Sequence, residues 1–377
     1  MAARRRGCLK RRGSDSWLIS FFMHFDHNGK RRDFTQTVRG TRKEAEQRLQ
    51  KKLLEHDQGT LSANPNLTLN EFFAEWLESF DKVRNSLRTW TGDEMIYNRH
   101  FRDTIGNKKI DKIQPLDIQR IYGAMSQRGL APQTIKHVHA LIRKVLNRAV
   151  RLNVLQRNPA LLVDTPKVPR IERRTLDAEE ARRFIAACGS IPQGLIFEFA
   201  LLTGMRPEEF LAVKWGDLDI ERKTVRVVRA LVRLKGSFSF NEPKTSRSRR
   251  TIILPEPLVH KLVIHKQKQW FQRQKALNLW EDNDLIFCSE FGTPLAIPNI
   301  TYRYFRPLLV QAGLPRIRLY DLRHSHATLL LTAEEHPKVV AERLGHSTIV
   351  LTLDTYSHVL PTIQKRATDK LEKMLFG

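Results

Sequence analysis

Residues 344–358 read Leu-Gly-His-Ser-Thr-Ile-Val-Leu-Thr-Leu-Asp-Thr-Tyr-Ser-His, and they constrain the chain more than any other segment. Gly345 is a stop signal for a helix predicted over 337–344, so we expect His346 to be exposed at a turn. Tyr356 follows ten residues after His346. Because a free phenol has a pKa of about 10, Tyr356 needs nearby positive charge to attack at neutral pH.

Three upstream segments carry cations of the kind that such a tyrosine needs. They are Thr203-Gly204-Met205-Arg206-Pro207-Glu208-Glu209, Pro243-Lys244-Thr245 and Tyr320-Asp321-Leu322-Arg323-His324. Pro207 suits the first helical position, so Arg206 is expected at a helix start, beside backbone N–H groups that attract anions. Glu209 lies three residues on, on the same helix face, and could orient Arg206 or a neighbour.

Each of these residues alone has an ordinary structural explanation. Arg206 alone reads as a surface arginine, Lys244 as a solvated loop lysine and Tyr356 as half-buried packing. Together they favour chemistry on a phosphodiester, whose charged nonbridging oxygens must be neutralised before a nucleophile can attack. The planar fork of arginine does this with two parallel hydrogen bonds and does not deprotonate.

The whole set, in this order, resembles the tyrosine recombinases, the family of phage and integrative-element integrases. The resemblance implies that Arg206 and Arg323 clamp the scissile phosphate and that His346 hydrogen-bonds to it. It also implies that Lys244 protonates the leaving 5′ oxygen and that Tyr356 attacks, which gives a 3′-phosphotyrosyl bond.

One position departs from the family pattern. The family usually has histidine where this chain has Tyr320, and a phenol can hydrogen-bond but cannot act as an imidazole base. We expect Tyr320 to be a weaker, hydrogen-bonding substitute, and helical geometry predicts that His324 turns away from Arg323. The sequence therefore favours a site-specific recombinase. A type IB topoisomerase and a catalytically silent DNA-binding regulator stay open as alternatives.

The charge balance is the most unusual feature of the composition. The 377 residues have 65 Lys and Arg against 40 Asp and Glu, a formal net charge of +25, which favours nucleic acid as partner over a membrane surface. No apolar run approaches the roughly 18 residues of a membrane span. The three cysteines are isolated and predict neither a zinc site nor a disulfide framework, which fits a reducing cytoplasm. No phosphate-binding loop or acidic cluster predicts a cofactor or a metal.

The first 60 residues predict a small basic DNA-binding module. Residues 17–25 and 30–38 read as strands around an Asn-Gly turn, and Thr41 opens a capping box for a helix to about His56. This basic tail plus ββ-helix resembles the arm-site-binding domain of integrases. The alternative is a solvated module without a DNA-binding role.

Residues 67–160 predict an all-α domain that resembles the core-binding domain of the family. Its best-defined helix starts at Pro132 and shows one apolar stripe. Basic residues lie mainly off that stripe and could contact DNA phosphates or simply be solvated. The candidate DNA contacts are Lys136, Arg143, Lys144 and Arg148 here, and Arg247 further on.

A proline-rich linker precedes residues 174–377, which predict the catalytic domain. Strands are expected at 224–228 and 250–254, with Lys244 and Arg247 at a hairpin tip between strands, and helices fill most of the rest. Residues 361–377 predict an amphipathic tail helix that packs in cis or on a neighbouring protomer. The fold class is thus multidomain α+β: a ββ-helix domain, an all-α domain, and a mainly helical catalytic domain with a small antiparallel sheet.

The resemblance also implies partners. They are double-stranded DNA attachment sites, three further protomers in a tetramer on DNA, and DNA-bending accessory proteins.

Overall fold

The computed structural model describes residues 7–25, 31–57, 67–169, 174–234, 236–242, 249–346, 348–356 and 360–376. The chain divides into two compact units, residues 1–170 and 171–377. Within the described residues, no helix is both long enough and apolar enough to cross a membrane.

The N-terminal part of the first unit is an antiparallel sheet with strand order β1-β2-β3, covered by a helix. Ile19 and Phe21 on β2 are buried, and Phe21 stacks on Phe34 of β3. The predicted strands and helix are confirmed, and the predicted Asn-Gly turn lies outside the described residues. The elements are β1 (Gly7–Gly13), β2 (Ser16–Phe25), β3 (Arg31–Arg39) and α1 (Arg42–Asp57).

The prediction of a basic N-terminal tail is wrong for residues 7–13, which form strand β1. The run Lys10-Arg11-Arg12 reads as a tail because it is charged, yet Leu9 and Lys10 pair with Ile19 and Leu18 of β2. A strand with one solvated face tolerates charged side chains at every second position, so charge alone does not distinguish it from a tail.

The rest of the first unit is helical, as predicted. The capping box at Thr68 is present: the Glu71 backbone N–H donates to Thr68 Oγ1 at 3.2 Å, and Thr68 N donates to Glu71 Oε2 at 2.8 Å. One buried cluster joins residues from Leu69 to Ala160. The helices are α2 (Leu69–Trp76), which continues through a π-helical turn (Leu77–Asp81) into α3 (Lys82–Arg84), then α4 (Leu87–His100), α5 (Pro115–Gln127) and α6 (Pro132–Arg151).

The second unit begins with three helices, then strands, then helices. The first part comprises α7 (Ala178–Cys188), α8 (Gly194–Thr203), α9 (Pro207–Phe210), β4 (Leu218–Asp219), β5 (Thr224–Val227), β6 (Ala230–Leu234), β7 (Ser237–Asn241) and β8 (Arg250–Ile253). The second part comprises α10 (Glu256–Ala276), α11 (Ile297–Ile300), α12 (Arg306–Gln311), α13 (Asp321–Thr332), α14 (Pro337–Leu344), α15 (Ile349–Tyr356) and α16 (Leu360–Phe376).

The strands of the second unit form two small antiparallel sheets. One has the order β4-β5-β8, and the other pairs β6 with β7. The large core packs around the buried helix α8, and a smaller cluster joins α13 to α14 through Ala327, Leu331, Val340 and Leu344. This smaller cluster fixes the end of α14, after which His346 follows.

Candidate active site

Arg206 lies at the start of α9, as predicted. Helix α8 ends at Thr203, and Gly204 has φ +64°, the left-handed conformation that favours glycine. A Cβ on Gly204 would lie 2.5 Å from His326 Cδ2, so glycine is required here for space as well. This turn brings Arg206 to the N-terminus of α9, with its side chain 30% exposed.

Glu209 braces Arg206 and a second arginine, Arg250. Its carboxylate is 4% exposed and accepts from Arg206 Nη1 at 2.7 Å and from Arg250 Nη2 at 2.8 Å. Burial opposes ionisation of Glu209, but Arg250 and Arg206 together hold its pKa below the usual value. Burial also acts against the charge of Arg206, and the attraction of Glu209 and Tyr320 outweighs it and raises the Arg206 pKa. The carboxylate therefore orients both guanidinium groups.

Arg323 is the most deeply buried of the candidate catalytic residues. It lies in the first turn of α13, is 1% exposed, and donates from Nη1 to the Gly204 carbonyl at 2.9 Å. Its Nη2 atom is buried and has no hydrogen-bond partner among the described residues. Burial, together with the nearby charge of Arg206, lowers the pKa of Arg323 to about 10, so it stays charged at neutral pH. A buried cation with an unused donor is a receptor for an anion.

A neutral histidine and an arginine fix the carbonyl end of α8. His326 Nδ1 lies 2.8 Å from the Leu201 carbonyl, so it donates, and His326 Nε2 accepts from Arg343 Nε at 3.0 Å. Burial and the Arg343 charge lower the His326 pKa to about 3, which keeps the ring neutral. Arg343 also donates to the Leu202 carbonyl at 3.2 Å. These bonds satisfy carbonyls that a helix end leaves without partners, and they position the turn before Arg206.

His346 is placed just beyond α14, at the turn that Gly345 makes in the left-handed conformation. Its Nδ1 lies 2.7 Å from Oγ1 of Thr352, a fully buried residue of α15. Burial and the charges of Arg323 and Arg206 lower the pKa of His346 to about 3. His346 therefore shares the electrostatic environment of both arginines.

Tyr320 and His324 flank the arginines. The Tyr320 phenol is among the groups that raise the pKa of Arg206. Its ring is tilted against the His324 ring at 5.4 Å between centroids. The His324 charge contributes to the lowered pKa of His346, so His324 belongs to the surroundings of the site, although helical geometry predicted that it turns away from Arg323.

The remaining candidates are only partly described. The backbone of Tyr356 ends α15, and its side chain lies outside the described residues, as do all atoms of Lys244 and Arg247. The predicted hairpin tip at Lys244 likewise falls outside them. The strands that flank it, β7 and β8, pair with β6 and β5 respectively.

The four candidate DNA contacts of the first unit differ in their surroundings. Lys136 and Arg143 are exposed on α6. The Lys144 ammonium is held by Asp81 at 2.6 Å and by Asp93 at 2.8 Å. Arg148 lies over the Phe80 ring at 3.8 Å. Since two carboxylates neutralise Lys144, Lys136 and Arg143 are better placed to offer charge to phosphates.

The second unit thus brings Arg206, Arg323 and His346 together from three helix ends. Such a set can bind a tetrahedral anion and neutralise charge that develops on it. Within the described chain, no group of three or more His, Cys, Asp and Glu side chains could hold a metal ion. With a tyrosine at the end of the next helix, this arrangement defines the tyrosine-type DNA strand transferases.

Comparison with known proteins agrees with that class. The sequence profile of the phage integrase family matches residues 174–362, and that of the phage integrase N-terminal SAM-like domain matches residues 68–126. The chain belongs to the phage integrase family and is a tyrosine-type site-specific recombinase.

Curated relatives match the chain over nearly its whole length. The XerC-like tyrosine recombinase of Caldanaerobacter subterraneus subsp. tengcongensis is 29% identical, over 96% of this chain and 97% of the relative. The ICEBs1 integrase of Bacillus subtilis is 27% identical, over 97% of this chain and 100% of the relative.

Solved structures share the fold. The Tn1549 transposon integrase in complex with a circular intermediate DNA superposes with a TM-score of 0.67 at 20% identity, over 80% of this chain and 99% of that one. The lambda integrase in a tetramer bound to a Holliday junction superposes with a TM-score of 0.55 at 16% identity, over 92% and 94%.

The sequence analysis missed four residues of the site: Arg250, His326, Arg343 and Thr352. A signal existed for Arg250, since it alternates with Ile252 and Leu254 and so belongs to the inward face of its strand. The other three make contacts between segments far apart or across a turn, for which the sequence has no local signal.

Proposed function

We propose that the Tyr356 phenol attacks the phosphorus of a DNA phosphodiester held by Arg206, Arg323 and His346. The phenol gives its proton to solvent as the new bond joins the tyrosine oxygen to phosphorus, and the bond from phosphorus to the 5′ oxygen breaks. Lys244 gives its proton to that oxygen, which leaves as a 5′-hydroxyl. Attack by a 5′-hydroxyl of the partner duplex then releases the tyrosine and rejoins the strands.

The observation that carries this proposal is the state of Arg323. This guanidinium is 1% exposed, lies close to a second arginine, and has an Nη2 without a partner among the residues that the structure describes. Such a buried charge is costly without a counterion. A phosphate supplies both the negative charge and the acceptor oxygen. Tyr320 fits a supporting role, because its phenol is close enough to raise the pKa of Arg206 and can donate a hydrogen bond to the DNA without acting as a base.

DNA contacts outside the site follow from the exposed basic surfaces. The face of the N-terminal sheet away from α1 carries Lys10, Thr35, Thr37 and Arg39, since paired residues share a face. We assign this face to arm-type sites, and Lys136 and Arg143 of α6 to the core site. Lys144 and Arg148 are less suited to contact phosphates, because Lys144 is paired with two carboxylates and Arg148 lies over the Phe80 ring. We also keep Arg247 as a proposed phosphate contact.

The biological setting follows from the relatives. Proteins named as integrases and transposases of mobile elements match this chain, so we propose that it integrates and excises such an element in the bacterial cytoplasm, on nucleoid DNA. The tetramer of the lambda integrase on a Holliday junction supports exchange by four protomers. Accessory bending proteins complete the proposal.

The experiment is incubation of the full chain with a nicked suicide substrate that carries its attachment site. The expected product is a covalent protein–DNA adduct on denaturing gels, absent in Tyr356→Phe, which still binds DNA. An adduct in the phenylalanine variant would show that another residue attacks. Relaxation of supercoils without sequence preference would instead identify a topoisomerase, and no adduct under any condition would identify a regulator.

A further inference from the structure

Thr352 has no role in the reaction as proposed so far, yet its hydroxyl touches the site. Its side chain is fully buried, and Oγ1 lies 2.7 Å from Nδ1 of His346. It is in the middle of α15, one helical turn before Tyr356. The hydrogen bond therefore links the phosphate-binding histidine to the helix that carries the nucleophile.

The chemistry of this bond depends on where the imidazole proton lies. Phosphate oxygens only accept hydrogen bonds, so His346 must present an N–H to the phosphate. A neutral imidazole has one N–H and one acceptor nitrogen. If Nδ1 donated to Thr352, Nε2 would present a lone pair to the phosphate and repel it. If Thr352 donates to Nδ1, Nε2 carries the proton and can donate.

We propose that Thr352 is a positioning residue, whose hydroxyl donates to His346 Nδ1, selects the tautomer with a proton on Nε2, and ties His346 to the helix of Tyr356. The inference rests on the proposed function, because it requires His346 to contact the scissile phosphate. If DNA binding makes the ring cationic, the hydroxyl accepts from Nδ1 instead and the link between the two segments persists. A partner that orients a functional imidazole through its other nitrogen is a general device in proteins.

The test compares Thr352→Val with Thr352→Ser in the full chain. Valine keeps the size and the β-branch and removes the hydroxyl, whereas serine keeps the hydroxyl. We expect the valine variant to cleave the suicide substrate about 10- to 100-fold more slowly, as for other lost orienting partners, with affinity for DNA unchanged within about twofold. The serine variant should cleave within a few-fold of wild type. Equal rates for valine and wild type, or a defect that serine does not restore, would overturn the proposal.

A double-mutant cycle separates positioning from a structural effect. If Thr352 acts through His346, then Thr352→Val should add little to the defect of His346→Phe. Additive losses would show that Thr352 acts elsewhere and would overturn the proposal. In addition, ¹⁵N spectra of the DNA complex of Tyr356→Phe should show His346 protonated at Nε2, and the valine change should abolish this preference.

The two proposals fail in distinguishable ways. Adduct formation by Tyr356→Phe would overturn the proposed function. Normal cleavage by Thr352→Val, with no adduct from Tyr356→Phe, would overturn only the role of Thr352.

Discussion

Two buried arginines of the site, Arg323 and Arg250, should respond in opposite ways to replacement by methionine. Both are nearly excluded from solvent. Arg250 is paired with Glu209 and donates to the Arg343 carbonyl, whereas Arg323 Nη2 has no partner in the described part of the chain. We predict that Arg323→Met stabilises the DNA-free protein while it abolishes cleavage, and that Arg250→Met destabilises it.

The magnitude follows from the pKa of Arg323. Burial and Arg206 lower it to about 10 from 12.5, and each unit corresponds to about 1.4 kcal/mol, so the charge costs the folded state roughly 3 kcal/mol. A folded-state pKa below the unfolded value means that this cost is complete at neutral pH and is relieved only as the pH rises through 10. In Arg323→Met, loss of the hydrogen bond to the Gly204 carbonyl offsets about 1–2 kcal/mol of the stability gained by removing the charge. The net gain is roughly 1–2 kcal/mol, or a few degrees in Tm.

The matched control, Arg250→Met, should lower the stability of the DNA-free protein. Removing Arg250 leaves the buried Glu209 with Arg206 as its one partner among the described residues, and breaking a buried pair costs about 3–5 kcal/mol. Thermal denaturation of the full chain without DNA measures both effects, and suicide-substrate cleavage measures activity. A lower Tm for Arg323→Met, equal to that of Arg250→Met, would refute the reasoning, because Arg323 would then be a structural cation.

Five further outcomes are expected. Arg206→Lys keeps the charge but loses the planar guanidinium that Glu209 holds. Cleavage should therefore fall by roughly 10²-fold while the Kd for DNA changes little. Normal cleavage would show that Arg206 is not part of the site. Cleavage should proceed in EDTA, because arginines supply the charge neutralisation, and loss of the adduct in EDTA would contradict this. The logarithm of the affinity for DNA should fall steeply with the logarithm of the salt concentration, and a flat plot would contradict an extended basic DNA-binding surface. Deletion of residues 1–60 should spare core-site cleavage but impair integration, and equal loss of both activities would contradict the assignment of this module to arm-type sites. Leu371, Met374 and Leu375 are exposed on α16, so they are available to pack on a neighbouring protomer. Removal of residues 363–377 should therefore weaken synaptic complex assembly and leave single-site binding intact. Unchanged assembly would show that the tail has no such role.

Local signals in the sequence predicted the elements well. The capping box at Thr68 marks the start of α2 correctly because its bonds are made within four residues. Gly345 marks the end of α14 for the same reason, since only the left-handed conformation lets the chain turn there. Pro207, followed by the acidic Glu208 and Glu209, places Arg206 at a helix start in the same way. Such signals depend on neighbours in the chain and are therefore visible without the fold.

The bonds that orient the site are different in kind. Arg323 reaches Gly204 across 119 positions, and Arg343 reaches Leu202 across 141. Nothing in the local sequence of α13 or α14 specifies these contacts, because they are set by how α8 packs between other helices. The sequence shows which residue types are present but not which arginine is paired and which is free for the substrate.

The division between paired and unpaired arginines explains how one site can be both stable and reactive. Glu209 is the one carboxylate bonded to Arg206 and Arg250 among the described contacts, so these two charges support the fold before DNA arrives. Among the described residues no carboxylate is bonded to Arg323, and we infer that a phosphate completes its hydrogen bonds. Because an anion that binds only the folded state stabilises it, DNA carrying a correctly placed phosphate should raise the Tm of the wild type more than that of Arg323→Met. On the proposed function, the energy missing from the free protein is recovered when the phosphate is in place, which couples the stability of the folded protein to the presence of the substrate.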